Sequence, residues 1–178
     1  MIRRRMTQKT MTKFEKVSLE QYRKDCDGDW MQMSLFDEIE QEYNDIKIPS
    51  RSTKYSAGYD FYAPRTVTIM PGGSAVFHSG IRAIMPNDMF LALYARSGLG
   101  IKHRVTLANS TGIVDADYSG AANEGHIIFK LVNDGPNPVR IDKGKAFAQG
   151  IFQKYYTVDD DDTPGIRTGG LGSTDAAK

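Results

Sequence analysis

The stretch TGIVDADYSG, residues 111–120, tells most about the fold and the chemistry of this chain. Ile113 and Val114 run into Asp115 as the end of a buried strand does, and the residues that follow break the alternation as a turn does. A carboxylate at a strand end can take a proton from water when a substrate lies beside it. The segment taken alone fits equally well a hairpin turn in which Asp115 and Asp117 cap backbone amides.

Short apolar runs bounded by Pro, Gly, Asn and Asp surround this stretch. They are TVTIM (66–70), AVFHSGIRAIM (75–85), FLALYA (90–95), HIIFKLVN (126–133) and AFAQGIFQKY (146–155). Strands at this spacing leave no room for crossover helices, so they predict a compact antiparallel barrel or sandwich. The pattern argues against a Rossmann or P-loop fold, and the sequence has no Gly-x-x-x-x-Gly-Lys-Ser/Thr motif.

Residues 1–45 differ from this pattern and predict a short helical N-terminal extension. Ser18-Leu19-Glu20-Gln21 has the form of a capping box, in which two side chains bind each other's backbone amides. A second helix is indicated by one apolar stripe of residues three or four apart, namely Met33, Phe36, Ile39 and Tyr43. We expect the stripe to pack on the core or on a neighbouring subunit; a protein partner bound through residues 1–45 is the alternative.

The chain therefore divides into the extension 1–45, a β-rich core 46–156 and a C-terminal segment 157–178. The C-terminal segment contains four consecutive aspartates, whose mutual repulsion keeps them solvated and indicates a linker. A glycine-rich tail, RTGGLGST (167–174), follows the linker.

Length and charge limit the class of protein. A chain of 178 residues fits one domain, and a net charge of +1 gives no broad surface for nucleic acid or anionic membranes. No apolar run approaches the roughly 18 residues of a membrane span, and the basic start lacks the apolar core of a secretory signal. The single cysteine, Cys26, excludes an intrachain disulfide and fits a reducing compartment. We expect a cytoplasmic protein without a nucleic-acid or membrane partner.

Four further segments join TGIVDADYSG in a fixed order: AGYDFYA (57–63), ARSGLGIK (95–102), GKAFAQGIF (144–152) and RTGGLGST (167–174). In this order the five segments resemble the motifs of the homotrimeric dUTP diphosphatases (dUTPases). The resemblance implies an all-β, distorted jelly-roll barrel of the β-clip type and a homotrimer whose active sites are each built from three subunits. It also implies hydrolysis of dUTP to dUMP and diphosphate, which removes dUTP and supplies dUMP for thymidylate synthesis.

The resemblance assigns the base, the sugar and the attacking water to the segment 109–118. Asp115 would be the general base, and Tyr118 would lie under the deoxyribose. Asn109 and main-chain groups near Gly112 and Val114 would pair with uracil, in a hairpin pocket that leaves the wrong base with unpaired polar groups.

The other motifs would bind the phosphates. Arg96, Ser97 and Gly98 offer a guanidinium, a hydroxyl and backbone amides, and Gln149 can donate amide hydrogens. Asp60 would support this group as a structural partner. The tail would form a lid over the nucleotide, and its binding residues would be Arg167, Leu171, Gly172, Ser173 and Thr174. Mg²⁺ is the expected cofactor, held by the substrate phosphates and water rather than directly by the protein.

Four features depart from the family pattern, and one of them is a tail motif that is one residue shorter between Arg167 and the double glycine. Ala146 stands where a basic residue is common, and Leu171 replaces the aromatic that stacks on uracil, so it can cover the base without stacking. The segment 119–129 is longer than expected and carries Glu124, for which the sequence indicates no role.

Two alternative functions remain open at this point. A dCTP deaminase shares the barrel and similar motifs but needs a glutamate near the base's amino group, for which Glu124 is the nearby candidate; ammonia release from dCTP would identify it. A dual-role regulator would bind another protein through residues 1–45.

Overall fold

Short strands make up most of the structure. The computed structural model describes residues 11–26, 36–165, 167 and 169, and only the backbone of residues 36 and 37. The described strands are β1 (Lys13–Lys16), β2 (Tyr59–Tyr62), β3 (Val67–Ile69), β4 (Ser74–His78), β5 (Ile81–Ile84), β6 (Met89–Ala95), β7 (Val105–Leu107), β8 (Gly112–Asp115), β9 (Ile128–Asn133), β10 (Val139–Ile141) and β11 (Ala146–Lys154). The described helices are α1 (Leu19–Cys26), α2 (Phe36–Asp45) and α3 (Ser97–His103), with a 3-10 helix at Ala116–Gly120.

The strands form two larger sheets and two separate pairs. The larger sheets have the orders β2-β11-β6-β8 and β4-β9-β7, while β1 pairs with β5 and β10 pairs with β3. All of these pairings are antiparallel. The all-β fold of jelly-roll type that the spacing of short strands predicted is confirmed.

Four phenylalanines join the two larger sheets in the core. Phe77 of β4 and Phe147 of β11 stack with ring centroids 4.5 Å apart. Phe129 of β9 meets Phe147 at 5.1 Å and Phe61 of β2 at 5.0 Å, both edge-on. All four side chains are at most 2% exposed, so apolar burial and favourable ring geometry hold the sheets together.

Some strand boundaries differ from the sequence prediction. The run AVFHSGIRAIM forms two strands, β4 and β5, because the chain turns at Gly80 with a φ of +66°. A side chain at Gly80 would also lie 2.3 Å from Cδ1 of Ile46, so only glycine fits. Strands β7 and β10 were not predicted, since three residues are too few for an alternating pattern to be recognised.

The predicted hairpin over residues 109–118 is wrong. Strand β7 pairs with β9 and strand β8 pairs with β6, so the strands on either side of the turn at Ser110 belong to different sheets. The turn therefore carries the chain across the sandwich. The expectation of a buried strand end holds for Val114, which is 8% exposed, but not for Ile113, which is 58% exposed.

The N-terminal extension packs on the core and contains a strand that the sequence did not predict. Strand β1 pairs with β5, and its charged sequence KFEK gave no strand signal. Helix α1 begins as the capping box predicted, because the Gln21 amide donates to Ser18 Oγ at 3.1 Å. The Ser18 amide, however, donates to Glu124 Oε2 at 2.8 Å, and the buried Gln21 side chain bonds to Asp25 instead.

A small apolar cluster joins the two N-terminal helices. Ile39 and Tyr43 of α2 pack on the buried Val17, Tyr22 and Cys26, as the stripe predicted. Met33 and the side chain of Phe36, the other members of the stripe, lie outside the described part. Burial raises the pKa of Cys26 to about 11, so the thiol stays protonated at neutral pH and is unreactive.

Acid should weaken the attachment of α1 to the core. Hydrogen bonds from Ser18 hold the pKa of Glu124 below its ordinary value of 4.5. A carboxyl group with a depressed pKa in the folded state stabilises the protein above its unfolded pKa, and this contribution is lost as the pH falls through the folded pKa. We expect the melting temperature to fall more steeply below about pH 4.5 in the parent than in Glu124→Gln, whose amide does not titrate. Calorimetry across this range measures both slopes, and equal slopes would contradict the expectation.

Candidate active site

The side chains that the sequence singled out form two groups at opposite ends of strand β6. One group follows the last residue of β6 and gathers Asp60, Arg96, Ser97 and Gln149. The other lies beside the first residues of β6, because Asp115 of β8 is paired with Phe90.

Arg96 and Asp60 form the centre of the first group. Arg96 precedes α3 in an extended conformation, and its guanidinium forms an ion pair with the buried Asp60. Ser52 Oγ donates to the second oxygen of the same carboxylate at 2.7 Å. Asp60 is thus a structural partner, as expected, and it fixes the direction of the arginine side chain. Ser97 and Gly98 follow Arg96 in exposed positions at the start of α3, a helix where the sequence had predicted only a turn.

Gln149 joins the first group from β11, one of the two inner strands of its four-stranded sheet. It is paired with Asp60 on β2 and with Tyr94 on β6. A Cβ at Gly58 would lie 2.6 Å from Gln149 Oε1, so the glycine leaves the space that the amide occupies. Lys143, one candidate for replacing the charge missing at Ala146, is instead paired with Asp45 at 2.7 Å.

Asp115 and its neighbours form the second group together with the tail. Asp115 ends β8, and the 3-10 helix that follows carries Asp117 and Tyr118. Arg167 Nη2 donates to Asp115 Oδ2 at 3.0 Å, and the Arg167 backbone amide donates to Asp117 Oδ2 at 3.0 Å. The guanidinium carbon lies 5.3 Å from the Tyr118 ring centroid, within cation–π distance. Asp117 therefore caps a backbone amide, as predicted, but in the tail rather than in its own turn.

Two placements in this group differ from the expectation. Arg167 was predicted to lie on the phosphates, whereas the structure places it on Asp115, at the far end of β6 from Arg96. Tyr118 was expected to offer an open face to a sugar, but it is only 5% exposed and Arg167 lies over its ring. A ligand would reach the ring only after Arg167 moves.

The Tyr118 hydroxyl is held by residues that the sequence did not single out for this purpose. It donates to the His126 carbonyl at 3.1 Å and accepts from Asn123 Nδ2 at 2.8 Å. Burial raises the pKa of Tyr118, so it remains a neutral donor. The sequence feature that could have indicated these partners is the unusually long segment 119–129, in which polar side chains follow the tyrosine.

The positions predicted for base recognition lie along and beside β8. Asn109 is exposed in the turn before β8, and its carbonyl accepts from the Thr111 amide at 2.6 Å. Gly112 lies against Leu93, where an added Cβ would approach the Leu93 side chain to 3.1 Å. Val114 is buried beneath the strand. The remaining predicted residues, Leu171, Gly172, Ser173 and Thr174, lie outside the described residues.

The group at Arg96 and the group at Asp115 lie too far apart for both to contact one reacting atom. Arg96 lies six positions after Phe90, and at about 3.3 Å per residue in an extended chain these positions span about 20 Å. Asp115 and Arg96 of a single chain therefore cannot contact the same phosphate.

The described residues include neither a metal cluster nor a membrane helix. No three His, Cys, Asp or Glu side chains among them group closely enough to hold a metal ion. None of the helices in this part of the chain is long and apolar enough to cross a membrane.

Comparisons with known proteins give consistent matches. A family model for dUTPase matches residues 44–174. Deoxyuridine 5'-triphosphate nucleotidohydrolase from Lactococcus lactis subsp. lactis (strain IL1403) is 40% identical over 134 residues, covering 74% of this chain and 89% of the relative. The crystal structure of dUTPase from Streptococcus mutans has a TM-score of 0.61 at 26% identity and covers 83% of this chain and 98% of that chain. A mutant dUTPase from phage phi11 of S. aureus, described with a coordinated structural Mg(II) ion, has a TM-score of 0.55 at 20% identity, over 68% of this chain and 92% of that chain.

Proposed function

The chain belongs to the dUTPase family, whose members hydrolyse dUTP to dUMP and diphosphate, and we propose that Asp115 is its general base. The observation that carries this proposal is the position of Asp115. The carboxylate ends a paired strand, remains 49% exposed, and lies beside Tyr118 and Arg167. Backbone pairing fixes its direction, while its exposure allows water to reach it.

The reaction is an in-line displacement at the α-phosphorus. Asp115 accepts a proton as the water oxygen forms its bond to phosphorus, and the bond to the bridging oxygen breaks to release diphosphate. Arg167 leaves Asp115 when the nucleotide enters, and it then lies close to the charged phosphates. Arg96, Ser97 and Gln149 bind the phosphate chain and stabilise the charge that develops on the leaving group.

Mg²⁺ is the cofactor, and the oxygens of the bound nucleotide and water would hold it. The described residues offer no cluster of three metal-binding side chains, whereas triphosphate oxygens and water are ligands that Mg²⁺ prefers. In this proposal the ion would be held through the substrate. When bound, Mg²⁺ neutralises phosphate charge and orients the leaving group.

The residues around β8 select uracil over cytosine and deoxyribose over ribose. Polar main-chain groups near Asn109, Gly112 and Val114 pair with uracil and leave a cytosine edge unsatisfied. Tyr118 closes the space where a ribonucleotide carries its 2′-hydroxyl. The tail forms a lid over the bound nucleotide, and its binding residues are Leu171, Gly172, Ser173 and Thr174.

We propose a homotrimer because one chain holds only two incomplete halves of the site. The group at Arg96 and the group at Asp115 lie about 20 Å apart on β6, so the same nucleotide meets both only when they come from different copies. Closed rotational symmetry brings opposite ends of identical chains together. We place this assembly in the cytoplasm, where the reduced Cys26 is stable.

The alternative functions find less support than hydrolysis of dUTP. Both carboxylate oxygens of Glu124 accept hydrogen bonds from Ser18, at 2.8 and 2.6 Å, so this glutamate is committed to α1 rather than to a base. The apolar side chains of α1 and α2 pack on each other and on Val17, which leaves this face of the extension inside the molecule.

Replacing Asp115 by asparagine should abolish most turnover while dUTP still binds. Loss of a general base costs about 10²–10⁴ in rate. The matched control is Asp117→Asn, whose amide oxygen can still accept from the Arg167 amide, and it should stay within about threefold of the parent. Diphosphate release measures turnover and calorimetric titration measures binding. Parental turnover in Asp115→Asn would remove this residue from the mechanism.

Tyr118→Ala should relax discrimination against UTP. Removing the ring opens space for a 2′-hydroxyl, so the ratio of kcat/KM for dUTP to that for UTP should fall by about tenfold or more, which corresponds to about 1.4 kcal/mol. The ring is buried, and its loss should also cost about 3–5 kcal/mol of stability, so the assay belongs well below the melting temperature. Tyr156→Ala, at a 97% exposed tyrosine, is the control with an unchanged ratio. An unchanged ratio in Tyr118→Ala would place the sugar filter elsewhere.

Mixing two inactive variants should restore activity. Co-refolded Asp115→Asn and Arg96→Ala chains form mixed oligomers in which some sites take an intact Asp115 from one copy and an intact Arg96 from another. Random assembly gives about a quarter of the parental activity. Each variant refolded alone is the control. A mixture no more active than its components would show that each site uses a single chain, and the shared-site proposal would fail.

A further inference from the structure

Both ends of helix α1 are attached to the loop that follows the catalytic segment. At its N-terminal end, Ser18 donates from its amide and its hydroxyl to the two oxygens of Glu124, at 2.8 and 2.6 Å. At its C-terminal end, Asp25 Oδ2 lies 2.6 Å from His126 Nδ1. Glu124 and His126 are only two residues apart, so one short helix holds one short loop at two points.

The hydrogen bonds of His126 define the roles of its two ring nitrogens. The Gly80 amide donates to Nε2 at 2.8 Å, so that nitrogen must carry a lone pair. Nδ1 therefore donates to Asp25. The ring is completely buried and packs against Tyr22 of α1 with centroids 5.8 Å apart. Because the ring is held on both sides, the backbone of His126 is fixed as well.

The fixed loop in turn holds Tyr118. The His126 carbonyl accepts from the Tyr118 hydroxyl, and Asn123, whose Oδ1 also accepts from the Gly125 amide, donates to that hydroxyl. Tyr118 lies in the 3-10 helix that starts directly after Asp115, so a displaced ring would displace the carboxylate as well.

The loop needs external contacts to keep this shape. Glu124 has a φ of +56° and Gly125 a φ of +73°, both in the left-handed region. A non-glycine residue remains in this region only where its surroundings enforce it, and Ser18 supplies two hydrogen bonds to Glu124.

We propose that Asp25 and Glu124 are positioning residues for the hydrolysis of dUTP, which act through α1 and the loop 121–127 to set the position of Tyr118 and Asp115. The inference rests on the proposed function, because it takes Tyr118 as the sugar filter and Asp115 as the base. Helix α1 lies outside residues 44–174, which match the family model, so this support is added to the shared core. The extension thereby serves the chain's own active site.

The test compares alanine variants with conservative ones. In Asp25→Ala and in Glu124→Ala we expect kcat for dUTP to fall about tenfold or more, with a smaller change in KM, because misplacement of a reacting group costs rate more than ground-state binding. The preference for dUTP over UTP should fall in parallel. Asp25→Asn and Glu124→Gln keep an acceptor oxygen, so they should recover most of both losses.

A matched control separates positioning from general loosening of the extension. Asp45→Ala removes the exposed ion pair between α2 and Lys143, 2.7 Å long, without touching the loop 121–127. It should leave kcat and the dUTP preference within about twofold of the parent. Equal losses in Asp45→Ala, or parental kinetics in both Asp25→Ala and Glu124→Ala, would overturn the inference. Should Asp25→Ala fail to fold, Glu124→Ala decides, because its bonds to Ser18 lie at the surface.

The Tyr118→Ala variant distinguishes this inference from the proposed function. If it loses the dUTP preference while Asp25→Ala and Glu124→Ala keep parental kcat and preference, the sugar filter stands and the positioning role fails. If Tyr118→Ala keeps the preference, the sugar filter of the proposed function fails. The positioning of Asp115 is then decided by kcat for dUTP, which must still fall in the two alanine variants and recover in the conservative ones.

Discussion

The ladder between β6 and β11 determines where the described residues of the proposed site lie. Seven residue pairs join these strands, from Ala148 opposite Ala95 to Lys154 opposite Met89. The same β11 pairs on its other edge with β2, and β6 pairs on its other edge with β8. One end of the ladder therefore gathers Gln149 and the residues around Arg96, while the other end receives Asp115. Because a strand is stiff and extended, the two halves cannot approach each other within one chain.

Each half of the site neutralises its own carboxylate, but the two ion pairs differ in burial. The side chain of Asp60 is 7% exposed, and its pair with Arg96 is expensive to break because a buried charge would be left alone. The side chain of Asp115 is 49% exposed, and a pair this open contributes little. The Arg96 side chain is thus held in place, whereas Arg167 can leave Asp115 at small cost. In the proposed mechanism this contrast lets Arg96 stay fixed and bind the phosphates, while Arg167 leaves Asp115.

The N-terminal extension and the long loop after Tyr118 are held together by hydrogen bonds. Neither had a role that the sequence could indicate, and in the structure each supplies the hydrogen-bond partners of the other. Ser18 caps α1 while it binds Glu124, and Asp25 accepts from a histidine that is otherwise buried among backbone and aromatic groups. Such a network stabilises only when all its members are present, because a buried polar group without its partner is costly.

Features that depend on local pattern could be predicted from the sequence. Short alternating runs bounded by turn residues indicated an antiparallel β fold, the motifs in order indicated the family, and Ser18 marked the start of α1. These features follow from backbone preferences and from residue spacing along the chain. The sequence did not reveal β1, α3 or the separate partners of β7 and β8, because charged or very short elements form where tertiary contacts favour them. The tertiary structure alone decided that Arg167 lies on Asp115, that Tyr118 is buried, and that Glu124 binds Ser18 across 106 positions of the chain. Hydrogen bonds and ion pairs between residues so far apart depend on the packing of the sheets, which no local pattern encodes.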